Sequence, residues 1–338
     1  MSGRHLSERQ RARIQQVQDR RRLRLDERAR AELAEVSPDQ PRQGQVVVRH
    51  GADLTVEDDQ GCLWHCLARQ NIGHPVCGDR VVWQRSGTDR GVVTAILHRD
   101  SVLSRPDYAG RDKPLAANLT QMLVVLAPRP EPSTYLLDQY LAAAERLGVK
   151  ALIACNKMDL LDARGREVLA ARLATYERIG YSLLWLSLKA GEGLAGLEAR
   201  LSDETSILVG QSGVGKSSLA KALLPDLDIQ IGRLSQGRDL GRHTTSTATC
   251  YRLPGGGQLI DSPGVRSFRL TLSGQDDLNR GFREIAPYIG HCRFSNCRHE
   301  REPGCALLAA VTAGLIDADR VTNFLHMTHA LELASARH

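Results

Sequence analysis

Aromatic residues are scarce. Phe, Tyr and Trp make up 4% of the 338 residues, so a core must be built from aliphatic side chains. No run of eighteen apolar residues occurs, which excludes a membrane-spanning helix on length. The Arg-rich N-terminus has no apolar segment behind it and does not read as a secretory signal. The expected location is therefore the cytoplasm, with no membrane partner. In that compartment the eight cysteines are expected to be thiols or metal ligands rather than disulfides. Acidic residues are sparse at one end. Residues 1–30 hold ten arginines against four acids, a surplus equal to the net charge of +6, so the remainder is close to neutral. A concentrated basic arm suits a polyanion such as RNA; a solvated terminus is the plainer reading.

Four segments follow one another, with no internal repeat. Residues 1–42 form the basic arm, helical in part, with Ser7 placed to cap it and Pro38 and Pro41 closing it. Residues 43–110 hold five short β-rich runs, "QVVVRH", "DLTVED", "CLWHCLAR", "DRVVWQ" and "GVVTAILH". Five strands in so short a stretch suit a small barrel of the OB type, a class that binds nucleic acid. Trp64 and Trp83 are available to stack on bases, but strand-embedded tryptophans are more often core. Cys62, Cys66 and Cys77 match no metal spacing. Residues 111–275 alternate uniformly apolar strands with helices near 133–147, 163–179 and from Gly215, the pattern of a parallel sheet buried on both faces. Residues 276–338 turn helical around a Cys/His cluster.

The run "GQSGVGKSS", Gly210, Gln211, Ser212, Gly213, Val214, Gly215, Lys216, Ser217 and Ser218, follows the strand "SILV" and opens a helix. That context is what a phosphate loop requires. Its glycines let backbone N–H groups turn toward phosphate oxygens at a helix N-terminus. Lys216 then reaches the β- and γ-phosphates, and the Ser217 hydroxyl reaches Mg²⁺. The base is specified elsewhere. "NKMD" places Asn156, Lys157 and Asp159 at the end of the strand "ALIAC". Asp159 can accept from N1–H and the 2-amino group of guanine, whereas adenine leaves it unpaired. Asn156 suits the far edge of the base and the Lys157 stem its face. Ser187, Leu188 and Lys189 follow a third strand, in a loop able to close over the base.

The remaining phosphate contacts lie downstream. Asp261 of "DSPG" can hold Mg²⁺ through water, and the Gly264 N–H can meet the γ-phosphate. Between them, residues 232–246 are rich in Gly and Arg and read as a mobile switch. That segment offers Thr244 or Thr245 to Mg²⁺ and the γ-phosphate, with Thr245 the expected ligand. Val265 stands where many regulatory GTPases carry a water-orienting glutamine, so slow intrinsic hydrolysis is expected. His243 is the nearest polar candidate for that catalytic role; its plainer reading is an exposed loop histidine. A P-loop NTPase or small-molecule kinase of another specificity is the rival reading, and Asn156 and Asp159 argue against it. An RNA-binding module with a vestigial nucleotide site is the other, and Lys216, Ser217 and Asp261 argue against that.

The base loop precedes the phosphate loop, the reverse of the ordinary order, so the domain is circularly permuted. A permuted sheet can fold when the original termini lie close together. Beyond it, Cys292, Cys297, His299 and Cys305 supply three thiolates and an imidazole, a closed tetrahedral set suited to one structural Zn²⁺. His291 is a rival ligand on less favourable spacing. This ordered set, NKMD, SLK, GQSGVGKSS, GRHTTS, DSPG and then C-x₄-C-x-H-x₅-C, resembles the RsgA (YjeQ) family of circularly permuted bacterial GTPases. The resemblance covers nearly the whole chain, including "PVCGDRVVW" at 75–83; Ser246 replaces a common threonine and keeps the hydroxyl. It implies a multidomain α/β fold: an N-terminal OB-fold β-barrel, a circularly permuted P-loop GTPase domain and a C-terminal helical zinc-binding domain. It also implies hydrolysis of GTP to GDP in late maturation of the small ribosomal subunit, with 16S rRNA as the RNA partner. A monomer is expected.

Overall fold

The computed structural model describes residues 40–106, 112–226, 248–261 and 274–335. They fall into two compact units, dividing at Asp100/Ser101 and again at Cys250/Tyr251. The first unit holds β1 (Arg42–His50), β2 (Asp53–Asp58), β3 (Leu63–Ala68), β4 (Arg80–Arg85) and β5 (Arg90–Ile96). Their pairing runs β1-β2-β3-β5-β4 and returns from β4 to β1, so the sheet closes as the expected five-stranded OB barrel. A register shift between Val46 and Val48 lets β1 bend between β2 and β4.

The barrel is filled by Val46, Leu54, Val56, Trp64, Cys66, Val81, Trp83 and Val93. The two tryptophan rings lie 4.9 Å apart, and Trp83 is fully buried. Asp58 fixes the β2–β3 turn by accepting from the N–H groups of Gln60 and Cys62 and from Trp64 Nε1. The Arg85 guanidinium stacks 4.1 Å from the Trp64 ring centre. Both indoles therefore belong to the core, and neither is a base-stacking platform.

The second unit opens with a hairpin, β6 (Val102–Pro106) and β7 (Asp112–Ala117), which the sequence pattern did not suggest. Then come β8 (Gln121–Leu126), β9 (Lys150–Cys155), β10 (Ser182–Trp185), β11 (Thr205–Val209) and β13 (Gln258–Asp261), while β12 (Ala248–Arg252) spans the division at Cys250/Tyr251. The strands β10-β9-β8-β11-β13 are parallel neighbours. Helices α1 (Thr134–Leu147), α2 (Ala163–Arg178), α3 (Leu194–Leu201) and α4 (Lys216–Leu223) connect them. Ser133 caps α1 by accepting from Leu136 N–H, and Asp162 caps α2 by accepting from Gly165 N–H. Gly148 ends α1 in the left-handed conformation.

Helices α5 (Gln275–Arg280), α6 (Ala306–Thr312) and α7 (Ala318–Ser335) belong to the same unit. They enclose a core of Leu278, Phe282, Ile285, Leu307, Ala310, Phe324 and Met327, with Phe282 and Phe324 edge to face at 5.3 Å. No described helix is long and apolar enough to cross a membrane.

Candidate functional site

Because the strands are parallel, the C-terminal ends of β8, β9, β10, β11 and β13 lie along one edge of the sheet. Open α/β sheets bind ligands at that edge, where connections diverge from a central strand. Here β8 is central, with β9 and β10 on one side and β11 and β13 on the other. Asn156 follows β9, Ser187 follows β10, Gly210 follows β11, and Asp261 ends β13. Residues far apart in the chain are thus brought to one crevice.

The phosphate loop spans the turn from β11 into α4. Gly210 has φ 138°, and a Cβ there would lie 2.2 Å from the Val125 carbonyl oxygen. Only glycine lets the loop start so close to β8. Lys216 curls back, its Nζ donating to the carbonyls of Gly210 and Gln211 at 2.7 and 2.6 Å. The ammonium is thereby held over the loop's interior. Val214 is fully buried in the aliphatic core, so its side chain anchors the loop and only its backbone can face a ligand. Ser212, Gly213, Ser217 and Ser218 are exposed.

The base loop is tied directly to the phosphate loop. Asn156 Nδ2 donates to the Val214 carbonyl at 3.1 Å, and Lys157 Nζ donates to the Gly213 carbonyl. Asn156 is buried, and its Oδ1 has no partner among the described residues. Lys157 itself sits at φ 62°, a left-handed conformation uncommon outside glycine, at the entry to a short 3-10 turn, Met158–Leu160. That turn exposes Asp159, whose Oδ1 accepts from Ser187 Oγ at 2.8 Å. Ser187 is fully buried, and its hydroxyl also accepts from Ala190 N–H. Leu188 packs on the core beneath, and Lys189 is exposed. Thr244, Thr245, His243, Gly264 and Val265 lie outside the described residues.

A second cluster lies near α6. The donor atoms of Cys292, Cys297, His299 and Cys305 all fall within 4.8 Å of one another. Cys292 Sγ is 3.4 Å from His299 Nδ1 and 3.8 Å from Cys305 Sγ, and His299 Nδ1 is 3.4 Å from Cys305 Sγ. Bonds of about 2.3 Å to sulfur and about 2.0 Å to nitrogen give tetrahedral edges of about 3.8 Å between sulfurs and about 3.5 Å between sulfur and nitrogen. The separations among Cys292, His299 and Cys305 match these edges, and Cys297 Sγ lies within 4.8 Å of all three, so the four residues could hold one metal ion. Ala306 N–H and Leu308 N–H donate to the Cys292 and Cys305 sulfurs. His291 is not among the clustered donors.

A model of the family described as RsgA GTPase matches residues 96–271, more than half of the chain. The chain belongs to the RsgA GTPase family. Membership makes it a GTP hydrolase, with the permuted motif order the sequence displays. The "Small ribosomal subunit biogenesis GTPase RsgA" of Azotobacter vinelandii is 44% identical over 338 residues, covering 98% of each chain. Its counterpart in Ectopseudomonas mendocina is also 44% identical with 98% of each chain covered. Among solved structures, YjeQ from Thermotoga maritima aligns with a TM-score of 0.70 and 31% identity, over 86% of this chain and 99% of that one. YloQ, described as a circularly permuted GTPase, aligns with a TM-score of 0.68 and 27% identity, over 87% and 96%.

Against this RsgA framework, one group of polar residues has no counterpart in the motif reading. Asp138 of α1 and Arg320 of α7 are both buried and bonded to each other. The only sequence signal was an acid inside the apolar helix "TYLLDQYLAAAERL".

Proposed function

We propose that this chain is a GTP-timed factor in late maturation of the small ribosomal subunit, acting in the cytoplasm as a monomer on 16S rRNA. The observation that carries the reading is the contact between base loop and phosphate loop, Asn156 to Val214 and Lys157 to Gly213, in a chain whose 44%-identical relatives bear that name. Chemistry at the pocket follows from its parts. Asp159, oriented by Ser187, accepts from the guanine edge, with Asn156 and Lys157 on the far edge and face and with the Leu188 and Lys189 loop closing over the base, Leu188 through its backbone. The N–H groups of residues 210–218 wrap the phosphates, with Lys216 released from its loop carbonyls to meet the β- and γ-oxygens. Ser217 and Thr245 would hold Mg²⁺, with Asp261 through water; the ion neutralises the charge that develops on the phosphates. Gly264 offers an N–H to the γ-phosphate, and His243 orients the attacking water in place of a glutamine.

The tetrahedral donor distances support one structural Zn²⁺ held by Cys292, Cys297, His299 and Cys305. We divide the chain into a basic arm at 1–42, an OB domain at 43–110, the GTPase at 111–275 and a zinc-binding domain at 276–338. The barrel, the zinc-binding domain and the basic arm supply the surface that docks on the small subunit.

The test is GTP hydrolysis by the purified protein alone, with small subunits and with large subunits. Selective stimulation by the small subunit, abolished by His243→Ala, is the expected result. Equal rates in all three conditions would overturn the ribosomal assignment while leaving the GTPase intact.

A further inference from the structure

Helix α1 serves two cores. It packs on β8 and β9 of the nucleotide-binding sheet, and also on α5 and α7. The second contact uses Tyr135, Asp138, Ala142 and Glu145, spaced three, four and three residues apart, which places them on one helix face. Ala142 belongs to the same buried cluster as Cys305, a member of the metal-binding set. Gly281 lets the next segment approach so closely that a Cβ there would lie 2.7 Å from Ala142 Cβ. Arg283 Nε donates to Glu145 Oε1 at 2.7 Å.

At the centre of this face is a charge cluster shielded from solvent. Asp138 is 0% exposed and Arg320 is 1% exposed. Arg320 Nη1 donates to Asp138 Oδ1 at 2.5 Å, while its Nε and Nη2 donate to the two carboxylate oxygens of Glu284 at 2.6 and 3.1 Å. Tyr176 of α2 donates its hydroxyl to Asp138 Oδ1 at 2.7 Å, and Asn323 Nδ2 donates to Asp138 Oδ2 at 2.7 Å. The guanidinium also faces the rings of Phe282 and Tyr176, at 4.4 and 5.4 Å. Both oxygens of Asp138 and three nitrogens of Arg320 are thus engaged. Such a cluster contributes little net stability but strongly favours one geometry, because any slippage strands a buried charge.

We infer that Arg320 is a positioning residue that keys the Cys/His module to α1 and α2, so that the module is a rigid continuation of the nucleotide-binding body and keeps one pose whether GDP or GTP is bound. Timing of any partner's release would then come from elsewhere in the chain than a swing of this module. The inference deepens the proposed function and rests on it only where nucleotide is concerned.

Amide hydrogen exchange on the metal-loaded full chain tests it, in the absence of nucleotide, with GDP and with a non-hydrolysable GTP analogue. Expected is protection of the 210–218 segment by either nucleotide, with exchange across 134–147 and 318–333 the same within twofold in all three states. A tenfold change across 318–333 between GDP and the analogue would overturn the rigid pose. Arg320→Met, measured without nucleotide, should speed exchange at least tenfold in both segments, whereas Glu145→Gln, at the exposed Arg283 pair, should stay within twofold. Unchanged exchange in Arg320→Met would equally overturn the key. If neither nucleotide protects 210–218, the nucleotide reading fails and the rigid pose with it, while the Arg320→Met arm still decides whether the key exists.

Discussion

At the scale of single residues, the pocket is built from groups that cannot be exchanged without a physical penalty. Asp159 holds one oxygen against Ser187 and leaves the rest of its carboxylate for a donor pair. Replacing it by Asn puts a donor where guanine also donates. Asp159→Asn is therefore expected to weaken GTP binding by about 100-fold or more while ATP binding changes little, as competition with a fluorescent guanine nucleotide would measure. Gly215 is constrained differently: its φ is 98°, and a Cβ would fall 2.5 Å from Asn156 Nδ2. Gly215→Ala should break the Asn156–Val214 link and lower nucleotide affinity about tenfold or more, without loss of the far-UV circular dichroism of the sheet. These positions were legible in the sequence because phosphate and guanine dictate residue types at fixed spacing. The Asp138–Arg320 pair was not, since its partners stand 182 positions apart and no local rule joins them.

At the scale of elements, legibility followed how local the controlling forces are. Helices α1 and α2 could be read near 133–147 and 163–179 from their alternation with apolar strands; their Ser133 and Asp162 caps emerged only in the structure. The β6–β7 hairpin could not, because Pro106 and Pro114 and the flanking charges obscure its alternation. The Cys/His loop lies between these cases. Its candidate ligands were legible, but the group that shapes the loop was not. Glu302 accepts from the N–H groups of Arg298, Glu300 and Arg301 at 2.9 to 3.0 Å and so folds the loop around His299, which sits at φ 63°. An amide side chain can supply only one acceptor oxygen to these donors. Glu302→Gln should therefore weaken Zn²⁺ binding about tenfold, measured by competition with a chromophoric chelator. Complete removal of the metal leaves three thiol-bearing side chains packed on the C-terminal core with nothing to hold the loop. The expected result is lost helicity and faster exchange in α6 and α7; unchanged spectra would mean the loop stands without an ion.

At the scale of the whole molecule, the permuted order explains why structure continues past the last nucleotide motif. The matched family span stops at residue 271, yet the core that surrounds α1 is completed by Arg320 and Asn323. Stability should also depend on carboxylates that fold into their charged form. Burial alone would raise Asp58, but bonds from Trp64 and from the N–H groups of Cys62 and Gln60 outweigh it and hold its pKa low. Burial likewise opposes Glu204, and its bonds from Lys150 and Thr120 prevail. A depressed folded pKa adds stability above the unfolded value and loses it as pH falls through the folded one. Unfolding midpoints in urea should therefore be flat near neutrality and decline once the pH drops below the ordinary carboxylate range. A sharper consequence concerns truncation. Deleting residues 274–338 removes Arg320, Asn323 and Glu284 together, leaving the Asp138 carboxylate with only the Tyr176 hydroxyl to offset its burial. Breaking a buried ion pair from one side costs about 3–5 kcal/mol, a large share of the roughly 5–15 kcal/mol that stabilises a typical protein. Residues 1–273 should fail to unfold cooperatively. Adding Asp138→Leu should recover part of the transition, since an apolar side chain leaves no stranded charge. A truncated chain with the parent's cooperative midpoint would instead mean that the C-terminal module is an independent domain resting on α1.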